Sequence, residues 1–405
     1  MLSLKEINKT ISAGKPYPSK INWYAEPNLG SFFGKREIDS VINSLKKSNH
    51  WSIGFGPNAK EVDDFEKDFS KKFKVKHSVA VSNNGVGFDM LLSILNLKKS
   101  EEVIVPALNF KAWQMSILQK KIKTVFCDIN YPDLSIDVFD LEKKINKNTR
   151  VVCPVHFSGA SCQIDEIERI IKKAQKKFNH KIYIIYDAAR AVGAKYLSNN
   201  IASAGDATIY SFNGQKIITT IGEGGMITTN NSILAKKLKD ARSYGGEKNW
   251  GLNYRLPKIS AVFGIEQLKR LDKIIFLRKK ILKQRNLFFS KINDLILPST
   301  KNCIEGSCYL YNIILKKPWS KKYRDLLIKY ISEKYNIHYT YPKFINYRWP
   351  IIKKNYIIPR LLKSKFVYDN SITLPIHPSL NNKQELYICS TFLKSFFKIK
   401  NKFNL

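Results

Sequence analysis

An aspartate, a serine and a lysine follow one another within residues 182–229, each at or just past the end of an apolar run. Ile182-Tyr183-Ile184-Ile185-Tyr186 is short, unbroken and rich in β-branched residues, the pattern of a strand covered on both faces in a parallel sheet. It ends in Asp187, where open α/β sheets place ligand-binding groups. Ala207 to Phe212 reads as a second strand. It carries Ser211 near its end and leads into Asn213-Gly214-Gln215-Lys216. Gly222-Glu223-Gly224-Gly225 then turns the chain into a third run, Met226 to Thr229. Such a set suits pyridoxal phosphate, which needs a lysine amine for a Schiff base and an acidic partner for its pyridinium nitrogen. It also needs hydroxyl and backbone N–H donors for its phosphate. The plain alternative is an aspartate capping a helix and one more surface lysine in a lysine-rich chain.

The surrounding elements supply an anion site. Ser78 to Ser82 reads as a short strand, Asn83-Asn84-Gly85-Val86-Gly87 as a turn, and Phe88 to Leu97 as a helix. A glycine turn there offers free backbone N–H groups and the positive helix end to a phosphate. Further strand-like runs over Glu102–Pro106, Lys123–Asp128 and Arg150–Phe157 alternate with helical patterns. About seven strands in all argue for βαβ units and a mostly parallel sheet. Ahead of them, Pro16, Pro18 and Pro27 suggest an extended arm, with a helix near Lys35–Lys47. A Gly/Pro turn at Trp51–Pro57 opens onto an amphipathic helix, Ala59–Phe73, with Val62, Phe65, Phe69 and Phe73 on one face. Beyond Thr229 come a helix over Ser232–Arg242 and a long one over Ile259–Phe289 that links two lobes. Leu310–Leu315 and a helix over Lys321–Lys334 belong to the smaller lobe, and Lys398–Leu405 reads as a frayed tail. The expected division is an arm and helix over 1–57, a large domain over 58–270, and a linking helix with a small α/β domain over 271–405.

The chain has 405 residues, 44% of them hydrophobic, enough for a large core and two lobes. No stretch is long and apolar enough to span a bilayer, and the N-terminus shows no signal-peptide core, so a cytoplasmic enzyme is the simplest expectation. The net charge of +36 comes from lysines scattered along the chain rather than gathered on one motif. Without a helix-turn-helix, zinc-finger or RNA-binding signature, neither nucleic acid nor membrane is expected as the main partner. A positive field would still favour a phosphate-rich small substrate. The six cysteines show no C-x-x-C spacing, so no metal site is expected. Cys127 and Cys153 read as small core residues, and the cytosol disfavours a disulfide between Cys303 and Cys308.

Asp187-Ala188-Ala189, Ser211-Phe212, Lys216 and Gly222-Glu223-Gly224-Gly225 resemble the nucleotide-sugar aminotransferases of the DegT/DnrJ type. There E-D-A-A-[QH]-A-x-G, S-F-x-x-x-K and G-E-G-G follow in that order. Gly56-Pro57 with Phe65-Glu66, Asn84-Gly85, Pro106 to Phe110, Pro154-Val155-His156, Gly251 to Arg255 and Leu374 to Pro378 extend the likeness over nearly the whole chain. The resemblance implies a fold-type I enzyme: a mostly parallel seven-stranded sheet in a large domain, plus a smaller C-terminal α/β domain. It implies Lys216 and Asp187 as catalytic residues, with Gly85, Val86, Phe110, Arg190, Ser211 and Asn253 joining them around pyridoxal 5'-phosphate. By the same likeness the Phe110 ring covers the pyridine face, and Asn253 reaches the phosphate in a partner subunit, giving a homodimer with shared active sites. The implied reaction moves nitrogen from an amino-acid donor, glutamate, to a keto-deoxy sugar of a nucleoside-diphosphate sugar, for surface polysaccharide or glycan synthesis. Sugar contacts are expected from the C-terminal loop around 341–350.

Three positions depart from the pattern. Tyr186 replaces a glutamate inside the strand. Val86 replaces a threonine and removes one hydroxyl from the phosphate cup. Arg190 replaces the Gln or His that contacts the cofactor's phenolic oxygen, and a cation there can pair with that oxygen. His156 is expected to be a structural, hydrogen-bonded residue. Relatives that remove a sugar hydroxyl without transferring nitrogen carry histidine in place of the lysine, so Lys216 counts against a dehydratase. The altered Val86 and Arg190 leave a catalytically impaired scaffold or regulatory homologue as the other reading.

Overall fold

The structure is a computed structural model that describes residues 23–298, 304–341, 345–357 and 359–405. The expected arm prolines Pro16 and Pro18, together with Cys303 and Pro342, lie outside the described residues. Seven short strands form the central sheet: β1 (His77–Val81), β2 (Glu102–Pro106), β3 (Lys123–Cys127), β4 (Thr149–Val152), β5 (Tyr183–Asp187), β6 (Ala207–Ser211) and β7 (Gly225–Thr229). Their spatial order is β1-β7-β6-β5-β4-β2-β3. β7 runs antiparallel to both of its neighbours, and every other pairing in the sheet is parallel. The apolar runs are continuous because both faces are covered.

Helices α1 (Lys35–Ser48), α2 (Lys60–Phe73), α3 (Asn84–Leu95), α4 (Ala112–Gln119), α5 (Ile164–Phe178), α6 (Ser232–Arg242) and α7 (Lys258–Phe289) surround this sheet. Phe88 and Leu91 of α3, Trp113 and Ile117 of α4 and Leu238 of α6 pack with Val79, Val105, Ile209 and Ile227 on one side. Phe65, Phe69 and Phe73 of α2 and Leu268 and Leu271 of α7 pack with Ala80, Tyr210 and Met226 in another cluster. The expected α2 face therefore points inward at the spacing the sequence sets. Buried Glu37 of α1 accepts from Arg270 Nε at 2.6 Å, Arg270 Nη2 at 2.7 Å and Gln267 Nε2 at 3.0 Å, which fastens α1 to α7.

Two element boundaries move for local reasons. The strand expected over Arg150–Phe157 ends at Val152, because Pro154 has no N–H to give a ladder. The expected turn at Asn83–Gly87 is already helix from Asn84, since the Asn83 side chain accepts the Val86 N–H at 3.0 Å and caps it.

Beyond α7, strands β8 (Leu295–Ile296), β9 (Tyr311–Leu315) and β10 (Ser371–Leu374) form an antiparallel sheet in the order β8-β9-β10. Helices α8 (Lys321–Tyr335), α9 (Leu362–Asn370) and α10 (Asn382–Phe403) accompany it. Phe289, Leu327, Ile331, Phe392 and Phe396 fill a separate hydrophobic cluster there. The frayed tail expected over Lys398–Leu405 is a correction: α10 continues to Phe403. Phe392, Phe396, Ile399 and Phe403 recur at helical spacing, and Ile399 and Phe403 join the cluster while the lysines stay on the other face. Lys400 Nζ also donates to Asp294 Oδ2 at 2.7 Å.

One buried ion pair ties α10 to α7. Arg285, 1% exposed, donates Nε and Nη2 to Glu385 at 2.8 and 2.9 Å, and Nη2 also to the Pro375 carbonyl at 2.6 Å. Removing the carboxylate strands a buried guanidinium, so E385A should destabilise the fold by about 3–5 kcal/mol. A fall of that size in the denaturant-unfolding free energy, followed through the aromatic near-ultraviolet signal, is the expected outcome.

Candidate active site

The carboxyl edge of the large sheet gathers the residues that could do chemistry. Asp187 is the last residue of β5 and Ser211 the last of β6. Gly225, the first residue of β7, pairs with Ser211 on one side and with Val81, the last residue of β1, on the other. A Cβ on Gly225 would stand 2.8 Å from the Asn83 carbonyl carbon and 2.9 Å from the Asn84 nitrogen, so the strand touches the start of α3 backbone to backbone. Between β6 and β7 the chain makes the loop that carries Lys216. Phe212 N–H donates to the Gly224 carbonyl at 2.8 Å and Gly214 N–H to the Gly222 carbonyl at 2.8 Å, closing the loop like a widened hairpin. Asn213 organises its interior. Its carbonyl accepts the Lys216 N–H at 2.8 Å, its Oδ1 accepts the Gln215 N–H at 3.1 Å, and its Nδ2 donates to Glu223 Oε1 at 2.7 Å.

Gly85, Phe110, Asp187, Arg190, Ser211 and Lys216 line one cleft of about 480 Å³. Val86 and Asn253 do not line it. Val86 is half-buried against the cluster that holds Phe88 and Trp113. Asn253 is exposed on the segment after the 244–247 turn, bridging Ser243, with its Oδ1 3.4 Å from Arg255 Nη1. His156 is fully buried, stacks on Tyr186 with ring centroids 5.2 Å apart, and accepts the Cys162 N–H at 2.9 Å on Nδ1. Burial pushes its imidazole down to about 3, the state of a structural histidine.

The cleft also contains residues that sequence reasoning did not single out. Glu26 comes from the segment preceding α1, where Trp23 and Tyr24 pair in parallel with Ile337 and His338, and Gly30 N–H donates to the Gly214 carbonyl at 2.9 Å. Glu26 Oε1 accepts from Arg190 Nη2 at 3.3 Å and from the Tyr309 hydroxyl at 3.1 Å. No local pattern could reveal it, because its position depends on contacts more than 160 residues away in sequence. Asn109 also lines the cleft, fully buried, with neither carboxamide atom hydrogen-bonded among the described residues. An unpaired buried amide costs about 1–3 kcal/mol.

The electrostatics concentrate on two groups. Burial raises the Asp187 carboxyl above the usual range, against the lowering pull of the Ala189 N–H at 2.9 Å and of Arg190 and Lys216. Burial also pushes the Lys216 ammonium down to about 8, and Arg190 pushes it the same way, while Glu26, Asp187 and Glu223 oppose them. The arrangement offers a lysine that gives up its proton at about pH 8, well below the ordinary lysine range, a buried carboxylate able to hold a cationic N–H, and a helix start with a hydroxyl for an anion.

The DegT/DnrJ/EryC1/StrS aminotransferase family matches residues 34–393 of the chain. A GDP-perosamine synthase of Vibrio cholerae is 31% identical, over 85% of this chain and 91% of its own length. A UDP-4-amino-4,6-dideoxy-N-acetyl-beta-L-altrosamine transaminase of Campylobacter jejuni is 29% identical, over 91% of this chain and 98% of its own. Among solved structures, Helicobacter pylori PseC, an aminotransferase involved in pseudoaminic acid biosynthesis, has the same fold. The TM-score is 0.84 at 23% identity, covering 92% of this chain and 99% of that one. Among the described residues no group of His, Cys, Asp or Glu could hold a metal ion, and no helix is long and apolar enough to cross a membrane.

The contact at Gly225 leaves no space for a methyl group, so G225A should force β7 and the start of α3 apart. The expected result is a loss of roughly tenfold or more in affinity for pyridoxal phosphate, about 1.4 kcal/mol per decade, measured by equilibrium titration of the absorbance change. A wild-type titration curve for G225A would show that this approach does not shape the anion site.

Proposed function

The chain belongs to the DegT/DnrJ/EryC1/StrS aminotransferase family, and from that premise we propose that it moves the amino group of glutamate onto a keto-deoxy sugar carried by a nucleoside diphosphate. It is a pyridoxal-phosphate-dependent aminotransferase. The product would feed a surface polysaccharide or glycan, in line with the sugar-directed relatives. The observation that carries the reading is the convergence of Lys216, Asp187 and Ser211 with the start of α3 in one cleft.

The residues present fit the cofactor. The backbone at Asn84 and Gly85, the start of α3 and the Ser211 hydroxyl would hold its phosphate, without the hydroxyl that Val86 lacks. Asp187, raised by burial and accepting the Ala189 N–H at 2.9 Å, would keep the proton on a ring N–H. Phe110 and Val155 give the cleft apolar walls. Arg190, held in the cleft wall, would face the phenolic oxygen. When bound, pyridoxal phosphate would supply an electron sink for the electron pair left when the proton is taken from the donor's α-carbon. Lys216, as a free amine, takes and returns the proton at the reacting carbon.

The same proposal includes a cytoplasmic homodimer in which Asn253 completes the neighbouring cleft. Exposed apolar side chains support an interface: Ile38, Ile42 and Leu45 on α1, then Trp51 at 93% exposure, with Trp250 and Leu252 flanking Asn253 in the chain. The proposed division into an arm and helix over 1–57, a cofactor-holding unit over 58–270 and a smaller unit over 271–405 is supported by the separate hydrophobic cluster from Ile281 to Ile399.

The test is the visible spectrum of the protein with pyridoxal phosphate before and after excess glutamate. A band that glutamate converts to the pyridoxamine form, and that K216A cannot form normally, is expected. A band indifferent to both would overturn the reading. Mixing K216A with N253A, each inactive alone, should restore activity through mixed dimers, since one of their two clefts keeps both residues. No recovery after subunit exchange would remove Asn253 from the neighbouring cleft.

A further inference from the structure

Arg190 and Lys216 flank one aromatic ring at the cleft. Arg190 Cζ lies 4.7 Å from the Phe157 ring centroid and 5.6 Å from that of Tyr309, and Lys216 Nζ lies 5.2 Å from that of Tyr309. Glu26 is one of the groups that hold this guanidinium: its single oxygen Oε1 accepts from both Arg190 Nη2 and the Tyr309 hydroxyl. Arg190 is itself 7% exposed, so the guanidinium sits inside the wall of the cleft. The remaining charges facing Lys216 are Asp187 at the end of β5 and Glu223 across the loop, the latter kept in place by Asn213.

We propose that Glu26 is a positioning residue: by accepting from both Arg190 and Tyr309 it fixes the guanidinium beside Lys216, so that the segment before α1 governs the charge next to the reactive amine. Arg190 favours the neutral amine by repulsion, while the carboxylate that holds Arg190 tempers that repulsion. The two charges are therefore separable by substitution: glutamine at 26 keeps the acceptor but loses the charge, and alanine loses both.

The inference takes from the aminotransferase reading only that Lys216 is the reactive amine. Its test uses the protein without cofactor, so either idea can fail while the other stands. Reductive methylation of Lys216 by formaldehyde and borohydride, followed by peptide mass spectrometry, gives a labelling midpoint against pH. R190Q should raise that midpoint by about one pH unit, and E26Q should lower it. E26A releases Arg190 as well, so its midpoint should lie above that of E26Q, by roughly half a unit or more. A purely structural role would change the amount of folded protein without moving midpoints in opposite directions. An unmoved or lowered midpoint in R190Q removes Arg190 as the neighbouring cation. Coincident midpoints for E26A and E26Q show that Arg190 keeps its place without Glu26, and overturn the positioning role.

Discussion

Strand β7 runs against the direction of the sheet, and the site depends on that reversal. A parallel strand would have required a crossover of a dozen residues or more, returning to the far edge of the sheet. An antiparallel strand begins where its neighbours end, so the loop before it stays at the carboxyl edge and carries Lys216 and Glu223 with it. Gly225 is the first residue of that strand and meets the last residues of β1 and β6 in the ladder. Its missing side chain lets the ladder press on the Asn83–Asn84 backbone at the beginning of α3. Anion site, lysine and hydroxyl are therefore placed by one backbone contact, and β5 lies next to β6 to add Asp187.

Much of this was legible because it is local. Ile182–Tyr186 and Ala207–Phe212 announce buried strands by composition, and the polar residue ending each run falls where a parallel sheet exposes its carboxyl edge. The likeness to a known family added Phe110 and Arg190 at the positions the cleft uses. What was not legible depends on distant parts of the chain. Glu26 has no motif, and it enters the cleft because the segment before α1 is pinned to Ile337–His338 at one end and to Gly214 at the other. The tail beyond Lys398 was misread because its lysines outweigh the apolar stripe of Phe396, Ile399 and Phe403 until a docking surface is supplied. Val86 shows a competition between levels: the turn that would serve an anion is also the first turn of a helix, and its side chain packs on the core instead.

The same segment before α1 is bound into the joint between the two hydrophobic units by an unusual cation. Arg278 of α7 is 1% exposed and, among the described residues, pairs with no carboxylate. Its Nη2 donates to the Gly30 carbonyl, and its Nη1 to the carbonyls of Cys308 and Tyr309 at 3.3 and 3.2 Å. Burial lowers the guanidinium to about 10, so it stays charged at neutral pH and depends on these carbonyl dipoles. Separating any one of the three segments would leave a buried charge short of acceptors, a loss of several kcal/mol by analogy with broken buried pairs. Gly30 in turn touches the Lys216 loop, where any side chain would overlap the Gln215 carbonyl. Glu26, Tyr309 and the Lys216 loop are therefore fastened to a common point.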